Sequence, residues 1–358
     1  MSQDNLLFSP KTIGQIALQN RIVMAPMTRS RAINNIPNDT MRDYYQQRNT
    51  AGLLITEGTS PSADGLGYAR IPGIFTQEQA DAWGKIATAV HAGGSKLVVQ
   101  LMHTGRIGHD LNLPEGKTLI APSAVAAAGQ MWTDQQGMQE HPVPKAMDEH
   151  DLERVKQDYV HASKLAIAAG LDGVELHAAN GYLLGQFLNP RSNVRDDKYG
   201  GSPENRRRYV LEVIDAVVAE IGAGHVGVRI SPFNPFNDLA ANYEGEEAEY
   251  IELVRELAKR NLAYLHLIAT PGAVPDTTVK AIREAFPGPL MLAGEFNRER
   301  AEAALVSGIA DVVAFGKPFI GNPDLPARLL KNIALNAFNP DQLYTPGPQG
   351  YSDYPAAA

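Results

Sequence analysis

Residues 152–178, LERVKQDYVHASKLAIAAGLDGVELHA, join a helical pattern to a strand pattern. Apolar residues recur at steps of three and four from Leu152 to Ala169, which is typical of a helix with one buried face. Gly170 follows, and a glycine at this position commonly ends a helix. The next run, Asp172–Ala178, contains Val174, Leu176 and Ala178 and is too short for an ordinary helix, so it predicts a strand. A helix followed by a strand is the building unit of α/β folds.

Short apolar runs alternate with helical segments along the rest of the chain, and eight strands are predicted. Ser202 and Pro203, for example, are a typical helix start, and that helix is predicted to run towards Ile221. The predicted strands are Arg21–Met27, Leu53–Thr59, Lys96–Met102, Asp172–Ala178, Val226–Ser231, Tyr264–Ala269, Leu290–Phe296 and Asp311–Phe315. Eight parallel strands with connecting helices usually close into a (β/α)8 TIM barrel. A doubly wound open sheet is the alternative, although no G-x-G-x-x-G motif follows the first strand.

Three segments lie outside the eight repeating units. Phe8–Asn20 alternates apolar and polar residues around Gly14 and predicts an N-terminal hairpin that plugs the barrel bottom. Residues 106–147, after the third strand, are too long and aperiodic for an ordinary loop and predict a lid. Residues 341–358 form a C-terminal tail rich in Pro, Gly and Tyr. No segment resembles an interdomain linker, so one domain over residues 1–358 is expected.

The composition excludes several functional classes. The 358 residues contain no Cys, which excludes disulfides, thiolate metal sites and cysteine nucleophiles. The formal net charge of −8 disfavours binding to nucleic acid or anionic lipid. We find neither a basic, apolar leader at Met1–Ser9 nor an apolar run long enough for a membrane span, so a cytoplasmic protein with small-molecule partners is expected. The sequence leaves the oligomeric state open.

Polar residues and glycines cluster where the predicted strands end, and barrel enzymes build their active sites at those ends. They include no nucleophile beside a base and no trio of metal ligands, so we expect a cofactor rather than a metal to supply the chemistry. Glycines after the seventh and eighth strands fit a phosphate site, but glycine after a strand is also a common turn residue. The residues are Pro26, Met27, Thr28, Gln100, Met102, His103, His177, Asn180, Tyr182, Arg229, Gly294, Gly316 and Lys317.

Five runs of sequence resemble the Old Yellow Enzyme family, in the same order and over nearly the whole chain. They are NRIVMAPMTRSRA from Asn20, YYQQRNTAGLLITEGT from Tyr44, LMHTGR from Leu101, DGVELHAANGYLLGQFLNPRSNVRDDKYGGSPENR from Asp172 and AFGKPFIGNPDL from Ala314. The resemblance implies a barrel with tightly but non-covalently bound FMN that takes hydride from NADPH or NADH. It also implies that the enzyme reduces activated alkenes such as enones, enals, maleimides and nitroalkenes.

The resemblance assigns two groups of site residues. The cofactor-binding group is Pro26, Met27, Thr28, Gly58, Gln100, Arg229, Gly294, Gly316 and Lys317, the last three for the phosphate. For Arg229 a core ion pair with Glu175 is the alternative. The substrate group is His177, Asn180, Tyr182, Tyr68, Met102 and Tyr344. His177 and Asn180 would donate hydrogen bonds to the substrate oxygen, and Tyr182 would be the proton donor. Tyr68, Tyr182 and Tyr344 have ordinary packing as their alternative.

Three positions depart from the family pattern or vary within it. Lys317 stands where many members have arginine, and a lysine cannot grip a phosphate with two parallel bonds, which predicts looser FMN binding. Met102 stands where tryptophan is frequent, which predicts a larger and softer pocket. Members have His or Asn at the position of Asn180, and an asparagine does not titrate near neutral pH.

Two other functions remain as alternatives. The same residues would suit a reductase of nitrate esters or nitroaromatic compounds. From a different class, a flavin-free barrel could be a hydrolase or lyase that uses His177 and Glu57, or a binding protein. His103, the basic cluster Arg206–Arg208 and the acidic run Glu244–Glu249 are assigned to structural or solvated roles.

Overall fold

The computed structural model describes residues 3–357, and its centre is a closed barrel of eight parallel strands. The barrel strands, in order around the barrel, are β3 Ile22–Met24, β4 Leu53–Ile55, β5 Lys96–Leu101, β10 Gly173–Ala178, β11 Val226–Ile230, β12 Tyr264–Ile268, β13 Leu290–Ala293 and β14 Val312–Phe315. The prediction of a TIM barrel is confirmed, and the open-sheet alternative is wrong because β14 pairs with β3.

Helices surround the barrel. They are α1 Asp39–Gln46, α2 Gln77–His91, α3 Glu149–Ala168, α4 Leu183–Leu188, α5 Pro203–Ile221, α6 Glu246–Ala258, α7 Asp276–Ala285, α8 Arg298–Val306, α9 Lys317–Gly321 and α10 Leu325–Lys331. As predicted, Gly170 follows α3 with φ 90°, and the Ser202 hydroxyl caps α5 by accepting the Asn205 N–H at 3.2 Å. Of the helices in residues 3–357, none is both long and apolar enough to cross a membrane.

The N-terminal hairpin, β1 Lys11–Ile13 and β2 Ile16–Leu18, closes the bottom of the barrel. Ile13, Ile16 and Leu18 are buried in one apolar cluster with side chains from the barrel strands, and burying each such side chain stabilises the fold by about 1.5–3 kcal/mol. Gly14 has φ 55°, and a Cβ there would lie 2.6 Å from the Ala263 Cα. Only glycine fits so close an approach, and the predicted plug is confirmed.

The segment 106–147 is not irregular throughout. It contains β6 Ile120–Ala121, which pairs with β9 Lys145–Ala146, and the hairpin β7 Gln130–Thr133 and β8 Gly137–Glu140. We call residues 130–140 the lid hairpin. It was not predicted, because its strands are short and only Met131 and Thr133 of β7 are buried.

Several predicted strands extend beyond the observed ladder at their carboxyl ends. The second is predicted to Thr59, but regular pairing stops at Ile55. The N–H groups of Thr56 and Thr59 then bond the carbonyls of Val98 and Gln100, so three residues on one strand match two on the other. This is a β-bulge, which bends the strand and redirects its side chains. The residues after the strand thereby become available to line a site.

Candidate active site

Two adjoining cavities of about 410 Å³ and 950 Å³ lie where the barrel strands end. Every residue of the two predicted groups lines at least one of them. Pro26, Thr28, Arg229 and Tyr344 line both cavities; Met27, Gly294, Gly316 and Lys317 line the smaller; and Gly58, Tyr68, Gln100, Met102, His177, Asn180 and Tyr182 line the larger. The structure thus gathers into one place residues that are far apart in the chain. Their roles stay predictions.

Two glycines of the smaller cavity show different constraints. Gly294 has φ 153°, and a Cβ there would lie 2.1 Å from the Ala269 carbonyl oxygen. A Cβ on Gly316 would meet nothing closer than the Met27 Sδ at 3.8 Å, so at this position a side chain would enter the cavity itself. Lys317 begins α9 directly after it and is exposed. Open backbone beside a lysine is a suitable environment for an anionic group.

Arg229 is a buried cation between the two cavities. Its Nε has no hydrogen-bond partner among the described residues, and none of their carboxylates lies within ion-pair distance. The alternative of a direct pair with Glu175 is therefore wrong. The oxygens of Glu175 bond the Gln100 Nε2 and the His266 Nδ1, both at 2.8 Å. Burial opposes ionisation of Glu175, but His266 and Arg229 outweigh it and hold the pKa of that carboxyl below its ordinary value.

His177 lies near the end of β10, opposite Arg229 on β11. Burial, and then the charge of Arg229, lower the pKa of His177 well below its ordinary value, so the imidazole is neutral at physiological pH. Its Nδ1 accepts the backbone N–H of Ala179 at 3.3 Å. A neutral imidazole that accepts at Nδ1 carries its proton on Nε2. His177 is thus a hydrogen-bond donor towards the cavity.

Asn180 follows β10 in the left-handed backbone region, with φ 54°. Its backbone N–H donates to the Ser231 Oγ at 2.8 Å, and its Oδ1 accepts from the Asn234 Nδ2, also at 2.8 Å. Asparagine tolerates this backbone conformation better than most residues, which suits it to the position. The remaining side-chain group, Nδ2, is a donor.

Tyr182 and Tyr68 form a pair within the larger cavity. Their hydroxyl oxygens are 3.0 Å apart, and the Tyr182 ring lies edge-on to the His177 ring with centroids 4.9 Å apart. Burial raises the pKa of Tyr182, whereas hydrogen bonds from Tyr68 and Asn237 lower it. Since the net direction is upward, the Tyr182 hydroxyl keeps its proton at neutral pH.

The mouth of the larger cavity carries exposed apolar side chains. Trp132 and Met138 project from the lid hairpin, and Phe236 and Tyr344 come from two other segments, each at least half exposed. The lid hairpin is tied to the barrel side by the ion pair of Arg70 with Asp134. Apolar groups around a concave opening favour ligands with apolar bodies.

Glu57, proposed above as a catalytic partner of His177 in the flavin-free alternative, lines neither cavity. The bulge after β4 places Gly58 at the larger cavity, whereas the Tyr45 hydroxyl donates to the Glu57 Oε1 at 3.4 Å. Burial raises the pKa of Glu57 to about 7. Glu57 and His177 therefore do not share a cavity in which they could act together as a hydrolase or lyase pair.

Arg29 and Arg31, which sequence reasoning did not select, hold the tail against the site. Arg29 donates to the carbonyls of Leu343 and Gly350 at 3.1 and 2.6 Å, and Arg31 donates to the Gln342 carbonyl at 2.8 Å. The Tyr351 ring, buried, stacks on Tyr44 at 4.0 Å. These contacts hold the segment that carries Tyr344. The signal in the sequence was two arginines directly after Pro26–Thr28.

Residues assigned above to structural roles make internal contacts. His103 is buried with its Nε2 3.6 Å from the Asp64 carboxylate. Arg206, from the basic cluster, pairs at 2.6 Å with Glu249, from the acidic run. Both contacts lie outside the cavity linings.

Comparison with known proteins gives consistent matches. The sequence model of the NADH:flavin oxidoreductase / NADH oxidase family matches residues 6–336. The chain is 39% identical to 12-oxophytodienoate reductase 1 of Oryza sativa subsp. japonica, over 98% of this chain and 92% of that protein. A structure of morphinone reductase in complex with tetrahydroNAD is 41% identical with a TM-score of 0.94, covering 98% of each chain. An Old Yellow Enzyme homologue from Zymomonas mobilis is 38% identical with a TM-score of 0.93, covering 98% of this chain and 99% of that chain.

Proposed function

The chain belongs to the NADH:flavin oxidoreductase / NADH oxidase family, and from this membership we propose that it is an FMN-dependent ene-reductase. It is an NAD(P)H-dependent flavin oxidoreductase of the Old Yellow Enzyme type. We further propose that the flavin is FMN, that NADPH or NADH is the hydride donor, and that the substrates are alkenes conjugated to a carbonyl or nitro group. The relatives named 12-oxophytodienoate reductase and morphinone reductase support a reductase that acts on small organic molecules.

The residues of the smaller cavity, together with Gly58 and Gln100 of the larger one, fit FMN. The buried Nε of Arg229 lacks a partner among the described residues, and a polar atom of that kind is normally satisfied by a ligand or water. The open backbone at Gly316 and the lysine beside it suit a phosphate. Pro26, Met27, Thr28, Gly58, Gln100, Arg229, Gly294, Gly316 and Lys317 would hold the cofactor. When bound, the flavin accepts a hydride from the nicotinamide and supplies it to the alkene.

The observation that carries the substrate assignment is the pair of donors at the larger cavity. Both side chains line this cavity, and because their other polar atoms are engaged, the His177 Nε2–H and the Asn180 Nδ2–H groups are the donors left for a substrate oxygen. An alkene gains negative charge on its carbonyl or nitro oxygen as hydride arrives at its β-carbon. Two preorganised donors therefore lower the barrier in the manner of an oxyanion hole.

Tyr182 supplies the proton. Its hydroxyl is protonated at neutral pH and lies in the same cavity as the two donors. The proton goes to the α-carbon of the alkene, and the O–H bond electrons stay on the phenolic oxygen. The Tyr68 hydroxyl, 3.0 Å away, then donates a hydrogen bond to that phenolate and stabilises it.

The test is an anaerobic visible spectrum of the purified protein before and after NADPH or NADH and then 2-cyclohexenone. We expect flavin absorbance that bleaches with a nicotinamide donor and returns with the enone, together with cyclohexanone as product. The cofactor released on denaturation should be FMN. Bleaching that the enone does not reverse, but a nitrate ester or nitroaromatic compound does, would transfer the proposal to those substrates. A protein that binds no flavin after incubation with FMN would refute it.

A further inference from the structure

The loop of residues 231–237, which follows β11, binds Asn180 at three of its four polar groups. The Ser231 Oγ accepts the backbone N–H of Asn180 at 2.8 Å. The Asn237 Nδ2 donates to the Asn180 carbonyl at 2.7 Å, and the Asn234 Nδ2 donates to the Asn180 Oδ1 at 2.8 Å. The side-chain Nδ2 is the one polar group of Asn180 for which residues 3–357 offer no partner.

The direction of the bond between the two asparagine side chains is fixed by the backbone. The Phe236 N–H donates to the Asn234 Oδ1 at 3.0 Å. A backbone N–H can only donate, so the atom facing it must be the oxygen of the Asn234 amide, and the Nδ2 faces Asn180. Because a donor faces Asn180 at this place, the Asn180 oxygen points to Asn234 and the Asn180 Nδ2 points away from it. Asn180 also lines the larger cavity.

We propose that Asn234 is a positioning residue that orients the amide of Asn180, so that Nδ2 rather than Oδ1 faces the substrate oxygen. Asn234 lines neither cavity and acts only through Asn180. This inference rests on the proposed function, because it assumes that Asn180 binds the oxygen of an activated alkene. It assigns to the 231–237 loop a part in substrate polarisation.

An amide needs such a device because its two ends are nearly equal in shape but opposite in polarity. If the Asn180 side chain were free to rotate by 180°, its oxygen would face the substrate oxygen in part of the molecules. Two oxygens that lack a proton between them repel each other, and the substrate would lose a donor as well. His177 has a similar ambiguity, because either ring nitrogen could carry the proton. The Ala179 N–H donates to the His177 Nδ1 and so leaves the proton on Nε2. In both donors, a backbone N–H determines which atom meets the substrate.

The experiment is the isosteric substitution Asn234→Asp in the holoenzyme, with 2-cyclohexenone as substrate. The introduced carboxylate keeps an acceptor for the Phe236 N–H but presents its other oxygen to Asn180, which reverses the Asn180 amide. We expect kcat/KM for the enone to fall by about 10- to 100-fold, since removal of one oxyanion donor costs about 10²–10³ in other enzymes. Asn234→Ala only frees the amide and should cost less, roughly 2- to 5-fold.

A double-mutant cycle separates positioning from a structural role. In an Asn180→Ala background there is no amide to orient, so Asn234→Asp should change kcat/KM less than about 2-fold. Asn242→Asp is the control, because Asn242 is an exposed residue of the next turn whose side chain has no hydrogen bond to any described residue. It adds the same charge nearby and should leave turnover unchanged. Flavin content should match the wild type in all variants. Asn180→Ala should lower the midpoint of thermal unfolding, because alanine tolerates φ 54° less well than asparagine, so the effect of Asn234→Asp is compared within each background.

The outcomes distinguish this inference from the proposed function. If the wild type reduces the enone, Asn180→Ala slows it, and Asn234→Asp slows it only when Asn180 is present, the inference is supported. An equal loss in both backgrounds, or no loss in Asn234→Asp, would overturn the positioning role and leave the proposed function intact. A wild type that does not reduce the enone would overturn both.

Discussion

Replacing His177 by alanine tests the central feature of the proposed site. The substitution removes an imidazole that is neutral, that accepts the Ala179 N–H at Nδ1 and that therefore donates from Nε2. Asn180 cannot replace this donor, because it supplies the other of the two proposed hydrogen bonds to the substrate oxygen. The Ala179 N–H also loses its acceptor, but the space that the imidazole leaves at the larger cavity gives room for a water to replace it.

The expected loss follows from the geometry. Removing one donor from a developing oxyanion costs about 10²–10³ in turnover, equivalent to about 2.7–4 kcal/mol. The cavity of about 950 Å³ admits water that can replace part of the lost bond, which favours the lower end. We therefore expect kcat/KM for 2-cyclohexenone to fall by roughly 10², with the flavin retained. His177→Gln keeps an N–H donor near the position of Nε2 and should recover at least about tenfold of the loss.

The assay is steady-state enone reduction, with the two half-reactions followed separately by stopped-flow absorbance. Because burial and Arg229 keep His177 neutral, the ratio of wild-type to His177→Ala activity should stay constant between about pH 6 and pH 8. A ratio that rises as the pH falls through this range would mean that the imidazolium is the active form and would refute the assignment of a neutral donor. Unchanged enone reduction in the alanine variant would refute any role in substrate binding.

Four further predictions concern other parts of the structure. Tyr182→Phe should slow enone reduction but leave flavin reduction by nicotinamide within about 2-fold, and equal slowing of both half-reactions would contradict the acid role. Tyr68→Phe should slow enone reduction less than Tyr182→Phe does, because it removes only a hydrogen bond to Tyr182. Glu57→Gln should raise the unfolding midpoint more at pH 8 than at pH 5. The folded pKa of Glu57, about 7, exceeds its ordinary 4.5, so ionisation destabilises the native state as the pH rises, by roughly 3 kcal/mol in full, and a pH-independent difference would contradict this. Gly316→Val should purify with less bound FMN than the wild type, measured by the ratio of flavin to protein absorbance, because its side chain would enter the smaller cavity; full occupancy would argue against a phosphate there. Arg31→Ala should make residues 342–351 more sensitive to limited proteolysis, and an unchanged cleavage pattern would show that Arg31 does not hold the tail.

The strands were predictable because burial on both faces imposes continuous apolar runs, as in Leu290–Ala293 and Val312–Phe315. Their ends were less so. Beyond Ile55 the chain stays partly bonded to its neighbour through a bulge, and no simple apolar pattern records the extra residue. Residues at the cavities were predictable as a set, because strand ends meet at one face of a barrel and the motifs mark them.

What depends on contacts across space was missed. The bond from Asn234 to Asn180 joins positions 54 residues apart, and its direction depends on the Phe236 N–H. The sequence presents Asn234 only as one polar residue in a turn. Likewise, Arg29 looks like an ordinary charged residue until residues 343–350 supply the carbonyls that bond it.

Arg29 and the tail carbonyls to which it donates are synthesised at very different times. Arg29 leaves the ribosome soon after the first barrel strand, whereas its acceptors at Leu343 and Gly350 follow 314 and 321 residues later. At translation rates of about 5–20 residues per second, these acceptors are synthesised roughly tens of seconds after Arg29. A nascent chain that has reached Lys331 contains all eight barrel strands but still lacks the wall that carries Tyr344. Enclosure of the cavities is thus among the last events in making the protein, and a message truncated before codon 342 would encode a barrel with an open site.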